Sequence, residues 1–183
     1  MSGSEMSIFE TIQTRRVVRE FAQDRPVSEA LLCELLVAAR WAPSGGNRYI
    51  NKFLVVRDPD TIEQVWAATP SMLNRPTALI VICIDANKAK STGTKLDTAL
   101  SDKTVWIDVG IAAQNIMLAA HALGLGACPS TSFSRGAIRT LLELPPFLIP
   151  EFIVQLGHPA PVKPRVMRSG ASTRLRIEDI TYW

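Results

Sequence analysis

Three arginines stand within five residues in Arg15-Arg16-Val17-Val18-Arg19. In an extended segment alternate residues share a face, so Arg15, Val17 and Arg19 lie on one side. Two guanidinium groups aimed at one point suit a phosphate, because each can donate two parallel hydrogen bonds. A solvated charge run is the competing reading of the same residues. A second basic pair, Lys163 and Arg165, sits in the proline-containing stretch from His158 to Arg168 and could face one way in the same manner.

Arg40 to Val56 offers a different chemistry. A helical pattern ends at Trp41, Pro43-Ser44-Gly45-Gly46-Asn47 breaks the chain, and Phe53 to Val56 run on as a strand. Adjacent glycines permit backbone angles that side chains forbid. They also leave peptide N–H groups open to close approach by a ligand. Ser44 and Asn47 add short polar side chains beside them. Such a turn suits a flat ligand with polar edges, although an ordinary helix-to-strand loop would look the same. Further on, Ser130-Thr131-Ser132 follow Pro129 in an extended segment and offer hydroxyl and peptide N–H groups.

The elements that must position these groups are legible from caps and periodicity. Ser7 and Glu10 have capping-box spacing, which predicts a helix from Ile8 to Thr14. Ser28 caps a second helix, with Leu32, Leu35 and Ala39 among its buried face. Asp58 and Pro59 start a third. Thr77 to Asp85 is a β-branched apolar run, the pattern of a central strand covered on both faces. Asn87 to Lys103 is polar and reads as an excursion over a pocket.

Val105 to Leu123 is the longest predicted helix and is apolar nearly all round. A helix of that kind needs burial on every side. Packing against the same helix of a second subunit would supply it, as would a wholly internal position. Asp108, Gln114, Asn115 and His121 argue against a membrane span. Gly124 to Pro129 reads as a turn, Ser134 caps a helix through Leu142, and prolines at 145, 146 and 150 break the chain before a strand from Glu151 to Leu156. Ile177, Ile180, Tyr182 and Trp183 predict a terminus that packs on the domain or on a partner subunit.

Composition bounds the function classes. The chain has 183 residues, 47% of them hydrophobic, which fits one domain with a sizeable core. Net charge is only +3, too small to imply nucleic-acid binding by itself. Cys33, Cys83 and Cys128 have no CxxC spacing and read as three buried thiols in a reducing compartment. The two histidines, His121 and His158, lack metal-ligand spacing. Residues 1–6 are polar, carry no signal-peptide pattern and are expected to be disordered, in a soluble, cytoplasmic protein without a membrane or nucleic-acid partner. No Ser-His-Asp order, paired carboxylates, P-loop or GxGxxG site is present. The surviving groups suit a phosphorylated cofactor that brings its own chemistry.

Taken together and in order, these marks resemble the nitroreductase family of FMN-dependent oxidoreductases. The arginine-rich segment, the Ala39 to Asn47 turn, Gly124 to Pro129, and Leu156-Gly157-His158-Pro159 with Lys163-Pro164-Arg165 carry the likeness. It implies an α+β fold with a mixed central sheet and a long buried helix, an intertwined homodimer, and a domain over 7–168 with a C-terminal extension over 169–183. It implies FMN with NAD(P)H as co-substrate, and hydride passing through flavin N5 in a ping-pong cycle to a nitroaromatic or quinone-like acceptor. No side chain would be catalytic. Arg15, Arg16, Val17 and Arg19 would meet the flavin from one subunit, with Lys163 and Arg165 completing the phosphate site. Pro43, Ser44, Gly45 and Asn47 would come from the other subunit. Pro129, Ser130, Thr131 and Ser132 would lie along the ring.

Two departures mark this chain. Val17 stands where many members have serine, and the usual N-x-Q-P-W-x-F reads Asn47-Arg48-Tyr49-Ile50-Asn51-Lys52-Phe53. The run Ala119 to Gly126 with Cys128-Pro129 is also similar to the flavoprotein subunit of cyclic dipeptide oxidases. That likeness would imply a desaturase of a peptide-like substrate with a small partner subunit. A flavin-binding protein without turnover would share every FMN contact.

Overall fold

The computed structural model describes residues 6–91, 103–161 and 175–182. Four short polar caps start the helices, and each accepts the orphan N–H three residues on. Ser7 starts α1 (Ile8–Thr14), Ser28 starts α2 (Glu29–Arg40), Asp58 starts α3 (Pro59–Ala67) and Ser134 starts a later helix, Arg135–Leu141. Between α2 and α3, strand β1 spans Asn51–Val56. After α3 come β2 (Ala78–Asp85), the short α4 (Ala86–Ser91) and the long α5 (Lys103–Ala122). The chain continues through β3 (Gly126–Ser130), α6 (Arg135–Leu141) and β4 (Leu148–Gly157).

The strands form one sheet in the order β1-β2-β4-β3. All three named pairings are antiparallel. Among the described residues, the parallel component expected of a mixed sheet is confined to an isolated bridge between Val17 and Ala127. Every residue of β2 is buried, so its apolar run covers both faces. Ile80 and Ile82 point to the core shared with α2 and α5, while Leu79 and Val81 point to the core shared with α3. Each such side chain contributes roughly 1.5–3 kcal/mol on burial.

Two boundaries differ from the sequence reading. Gly126–Ser130, read largely as a turn, is a strand because β4 supplies its ladder from Ile153 to Gly157. β4 begins at Leu148 and runs through Pro150. The register shifts there: Ile82 pairs with Phe152 and Cys83 with Pro150, leaving Glu151 as the extra residue of a bulge. A bulge is where a proline, lacking an N–H, can sit inside a sheet.

Helix α5 is long and apolar enough to cross a membrane by length and composition alone. Its Val105, Val109, Ala113, Ile116 and Ala120 pack instead into the core against the sheet. Burial on every side does not hold within one chain, since Ile107 is 56% exposed on the outer face. The polar excursion over 87–103 starts with α4, and its remainder from 92 to 102 lies outside the described residues. Near the terminus, Ile177, Ile180 and Tyr182 are exposed within the chain. Cys83 and Cys128 are buried, but Cys33 is exposed, correcting the expectation of three buried thiols. It sits one residue round α2 from the buried Leu32, which turns it outward.

Candidate functional site

The arginine segment leaves α1 at Arg15 and runs extended against β3. Val18 N–H donates to the Ala127 carbonyl at 3.0 Å, and Val17 bridges Ala127. The close approach depends on Gly126, where a Cβ would stand 2.6 Å from Val18 Cγ1. The segment therefore lies along Gly126 to Cys128, just ahead of Pro129 to Ser132. Arg15 is half-buried, and Arg16, Val17 and Arg19 are exposed. Arg16 turns its Nη1 back onto the Gln13 and Arg15 carbonyls at 2.7 and 3.0 Å. Arg19 lies against the Cys128 thiol, whose pKa burial pushes up while the guanidinium pulls it the other way. Among the described residues none of Arg15, Arg16 and Arg19 has a carboxylate partner. Unneutralised guanidinium groups on a rigid backbone fit an anionic ligand such as the phosphate of FMN.

The hydroxyl loop divides. Ser130 is buried, and its Oγ accepts from Gln155 Nε2 at 2.6 Å, so that hydroxyl faces the sheet. Thr131 and Ser132 are exposed. Lys163 and Arg165 lie outside the described residues.

The turn after α2 is held by Asp108 of α5, which the sequence reading had weighed only against a membrane span. Gly45 N–H donates to Asp108 Oδ1 at 2.9 Å, and Ser44 Oγ donates to Oδ2 at 2.9 Å. The peptide N–H of Gly45 is thus engaged internally instead of standing open. Pro43 and Asn47 are exposed. Nothing local reveals the Asp108 link, because the partners are 63 and 64 residues apart. A cavity of about 500 Å³ opens beside the turn, with Trp41, Pro43, Tyr49, Asn51 and Phe53 in its wall. That size is in the range of small-ligand sites.

The two groups are anchored at different ends of α5. The arginine segment follows α1, which docks on the C-terminal half of α5 through Thr14 and His121. The turn docks on the N-terminal half through Asp108. At an α-helical rise of ~1.5 Å per residue, these anchor points stand about 20 Å apart.

The architecture is α+β, an antiparallel sheet flanked by helices with the arginine segment laid along the β3 edge. A sequence model described as the Nitroreductase family matches residues 12–76 and 67–158. The chain belongs to the nitroreductase family. It is 36% identical over 165 residues to a Methanothermobacter thermautotrophicus protein provisionally named NADH dehydrogenase/NAD(P)H nitroreductase, covering 86% of this chain and 80% of that one. It is 26% identical over 192 residues to the Bacillus subtilis FMN reductase [NAD(P)H], covering 96% of this chain and 72% of that one. The fold is similar to that of B. megaterium NfrA1, with a TM-score of 0.80 at 26% identity over 97% of this chain and 74% of that one. It is similar too to a nitroreductase family protein of Clostridium difficile, with a TM-score of 0.77 at 27% identity over 97% and 98% of the two chains.

Proposed function

We propose that this protein is an FMN-dependent NAD(P)H oxidoreductase that reduces a small organic acceptor, nitroaromatic or quinone-like, in a ping-pong cycle. The observation that supports the reading is the Val17–Ala127 bridge, which ties the arginine segment to β3, the strand that leads into Pro129 to Ser132. Family membership and the names of the FMN reductase relatives support the cofactor. Bound FMN would supply the two-electron carrier, accepting hydride at N5 from the nicotinamide and releasing it to the acceptor.

The chain's own residues bind and orient. Arg15 and Arg19 would hold the phosphate and the pyrimidine edge, with Lys163 and Arg165 completing the phosphate site. Positive charge from Arg19 would stabilise negative charge on the reduced ring. Thr131 and Ser132 would line the ring edge through peptide groups and hydroxyls, whereas Ser130, with its hydroxyl held by Gln155, would contribute its backbone.

A homodimer completes the site in this reading. The arginine group and the Pro43, Ser44, Gly45 and Asn47 turn are anchored at opposite halves of α5, with anchor points about 20 Å apart along the helix. The outer face leaves Ile107 exposed at 56%, and α1 leaves Phe9 exposed at 74%. Two-fold packing of these faces would bury them and set the turn of one copy against the arginines of the other. Cytoplasmic location accords with this chemistry.

The test is an absorption spectrum of the FMN-loaded protein before and after anaerobic NAD(P)H, followed by steady-state kinetics with an acceptor. Bleaching of the flavin bands and parallel double-reciprocal lines are expected. A protein that takes up no added FMN contradicts the reading.

A further inference from the structure

The turn between α2 and β1 is held in an unusual conformation. Gly46, Asn47 and Tyr49 have φ of 61°, 57° and 47°. Glycine adopts such angles freely and asparagine tolerates them, but a bulky tyrosine does so only where its surroundings over-determine it. The surroundings here form a directional chain of hydrogen bonds. Tyr49 N–H donates to Ser44 Oγ at 2.9 Å. Ser44 has one hydroxyl proton and gives it to Asp108 Oδ2 at 2.9 Å, leaving its oxygen free to accept from Tyr49. The other carboxylate oxygen takes the Gly45 N–H at 2.9 Å.

We infer that Asp108 is the positioning residue of the ligand-facing turn: its carboxylate, through Ser44 and Gly45, fixes residues 44–49 and so sets Tyr49 as a wall of the adjoining cavity. Asp108 itself is 4% exposed, on a core helix. It touches the ligand site only through the turn. A hydroxyl or amide in its place lacks the two negatively charged acceptors that serve two donors at once. Removing it leaves a half-buried N–H and a serine hydroxyl without acceptors, and Ser44, no longer fixed by the carboxylate, stops holding the Tyr49 N–H in place. Tyr49 stands within the cavity wall, so the relay bears on the shape of that wall. This inference rests on the FMN reading above, and the test separates the two.

The experiment compares full-length wild type with D108A, D108N and S44A. Amide hydrogen exchange is followed at residues 45 and 49 and across β2, without FMN. FMN affinity is then measured by fluorescence titration. In D108A, protection at residues 45 and 49 is expected to collapse while β2 keeps its protection. Its FMN dissociation constant is expected to rise about tenfold, the scale of a lost charge-assisted hydrogen bond. D108N retains one acceptor for Gly45 N–H and is expected to recover about half of that loss on a logarithmic scale. S44A should free residue 49 alone. Should D108A fail to fold, D108N and S44A carry the same comparison. Unchanged exchange at residues 45 and 49 in the variants overturns the inference, as does equal loss of protection across β2. If wild type takes up no FMN, the functional reading falls, and the exchange data still decide whether Asp108 holds the turn.

Discussion

Gly126 and Val18 are in such close approach that a Cβ on residue 126 would stand 2.6 Å from Val18 Cγ1 and 2.7 Å from its Cβ. Val18 is β-branched and stiff, so it cannot swing aside at low cost. Its own N–H is meanwhile tied to the Ala127 carbonyl at 3.0 Å. G126A must therefore push the arginine segment off the sheet edge. A loss of about 1–3 kcal/mol is expected from overpacking, read as a lower denaturation midpoint. FMN affinity should fall with it. An unchanged midpoint and affinity would mean that the contact is softer than the geometry requires.

His121 and Thr14 fix a proton. Thr14 Oγ1 donates to the Glu10 carbonyl at 2.7 Å, which uses its only hydrogen. The 2.8 Å contact with His121 Nε2 must then have the imidazole as donor. In the neutral ring the proton is expected on Nε2. Nitrogen-15 NMR of the imidazole reads this directly, and a neutral ring protonated on Nδ1 would refute it. T14A should shift the tautomer balance and loosen α1 on α5, with a severalfold loss of FMN affinity through Arg15.

Glu151 gives the fold a pH slope. Its side chain is fully buried, and its Oε2 accepts from Arg135 Nε at 2.9 Å and Nη2 at 2.6 Å. Burial pushes its carboxyl above the usual range, and Arg135 offsets this only in part. A carboxyl with a raised folded pKa favours its neutral form in the fold. Its contribution is full below the unfolded pKa and declines as pH rises through the folded one. E151Q should flatten that decline in denaturation experiments from acid to neutral pH. R135A should move it to higher pH and cost about 2–3 kcal/mol near neutrality, after discounting for the exposed half of Arg135. Identical pH profiles in wild type and E151Q would contradict this assignment.

The thiols should divide by exposure. Burial, with a smaller contribution from Glu151, pushes Cys83 up to about 12. Burial raises Cys128 as well. The thiolate is the reactive form, so alkylation of the native protein should label Cys33 alone. Peptide mapping after brief iodoacetamide treatment checks this, and early labelling at Cys83 or Cys128 would contradict it.

Local signals made much of the fold legible. Ser7, Ser28, Asp58 and Ser134 cap helices because a short acceptor before a periodic apolar run has few other uses. The β-branched run from Thr77 to Asp85 carried the pattern of a strand covered on both sides, and the strand is Ala78–Asp85. What escaped depends on distant partners. Gly126–Ser130 is a strand because β4 lies beside it, and Pro150 sits inside β4 because the bulge at Glu151 excuses its missing N–H. The arginine segment was legible from its spacing only as a candidate anion site, with a solvated charge run as the competing reading. Asp108 was not readable as the anchor of the Ser44-Gly45 turn, since helix periodicity says which way it faces but not what it meets. Cys33 was readable: the Leu32, Leu35 and Ala39 face already turned it outward.

The central claim is that the arginine segment on the β3 edge holds FMN. Equilibrium titration of the cofactor-free protein with FMN, alongside R15A and R19A, tests it most directly. Saturable uptake approaching one FMN per chain is expected in wild type, with a dissociation constant at least about tenfold higher in each variant. Absent uptake, or variants that bind as tightly as wild type, would contradict it.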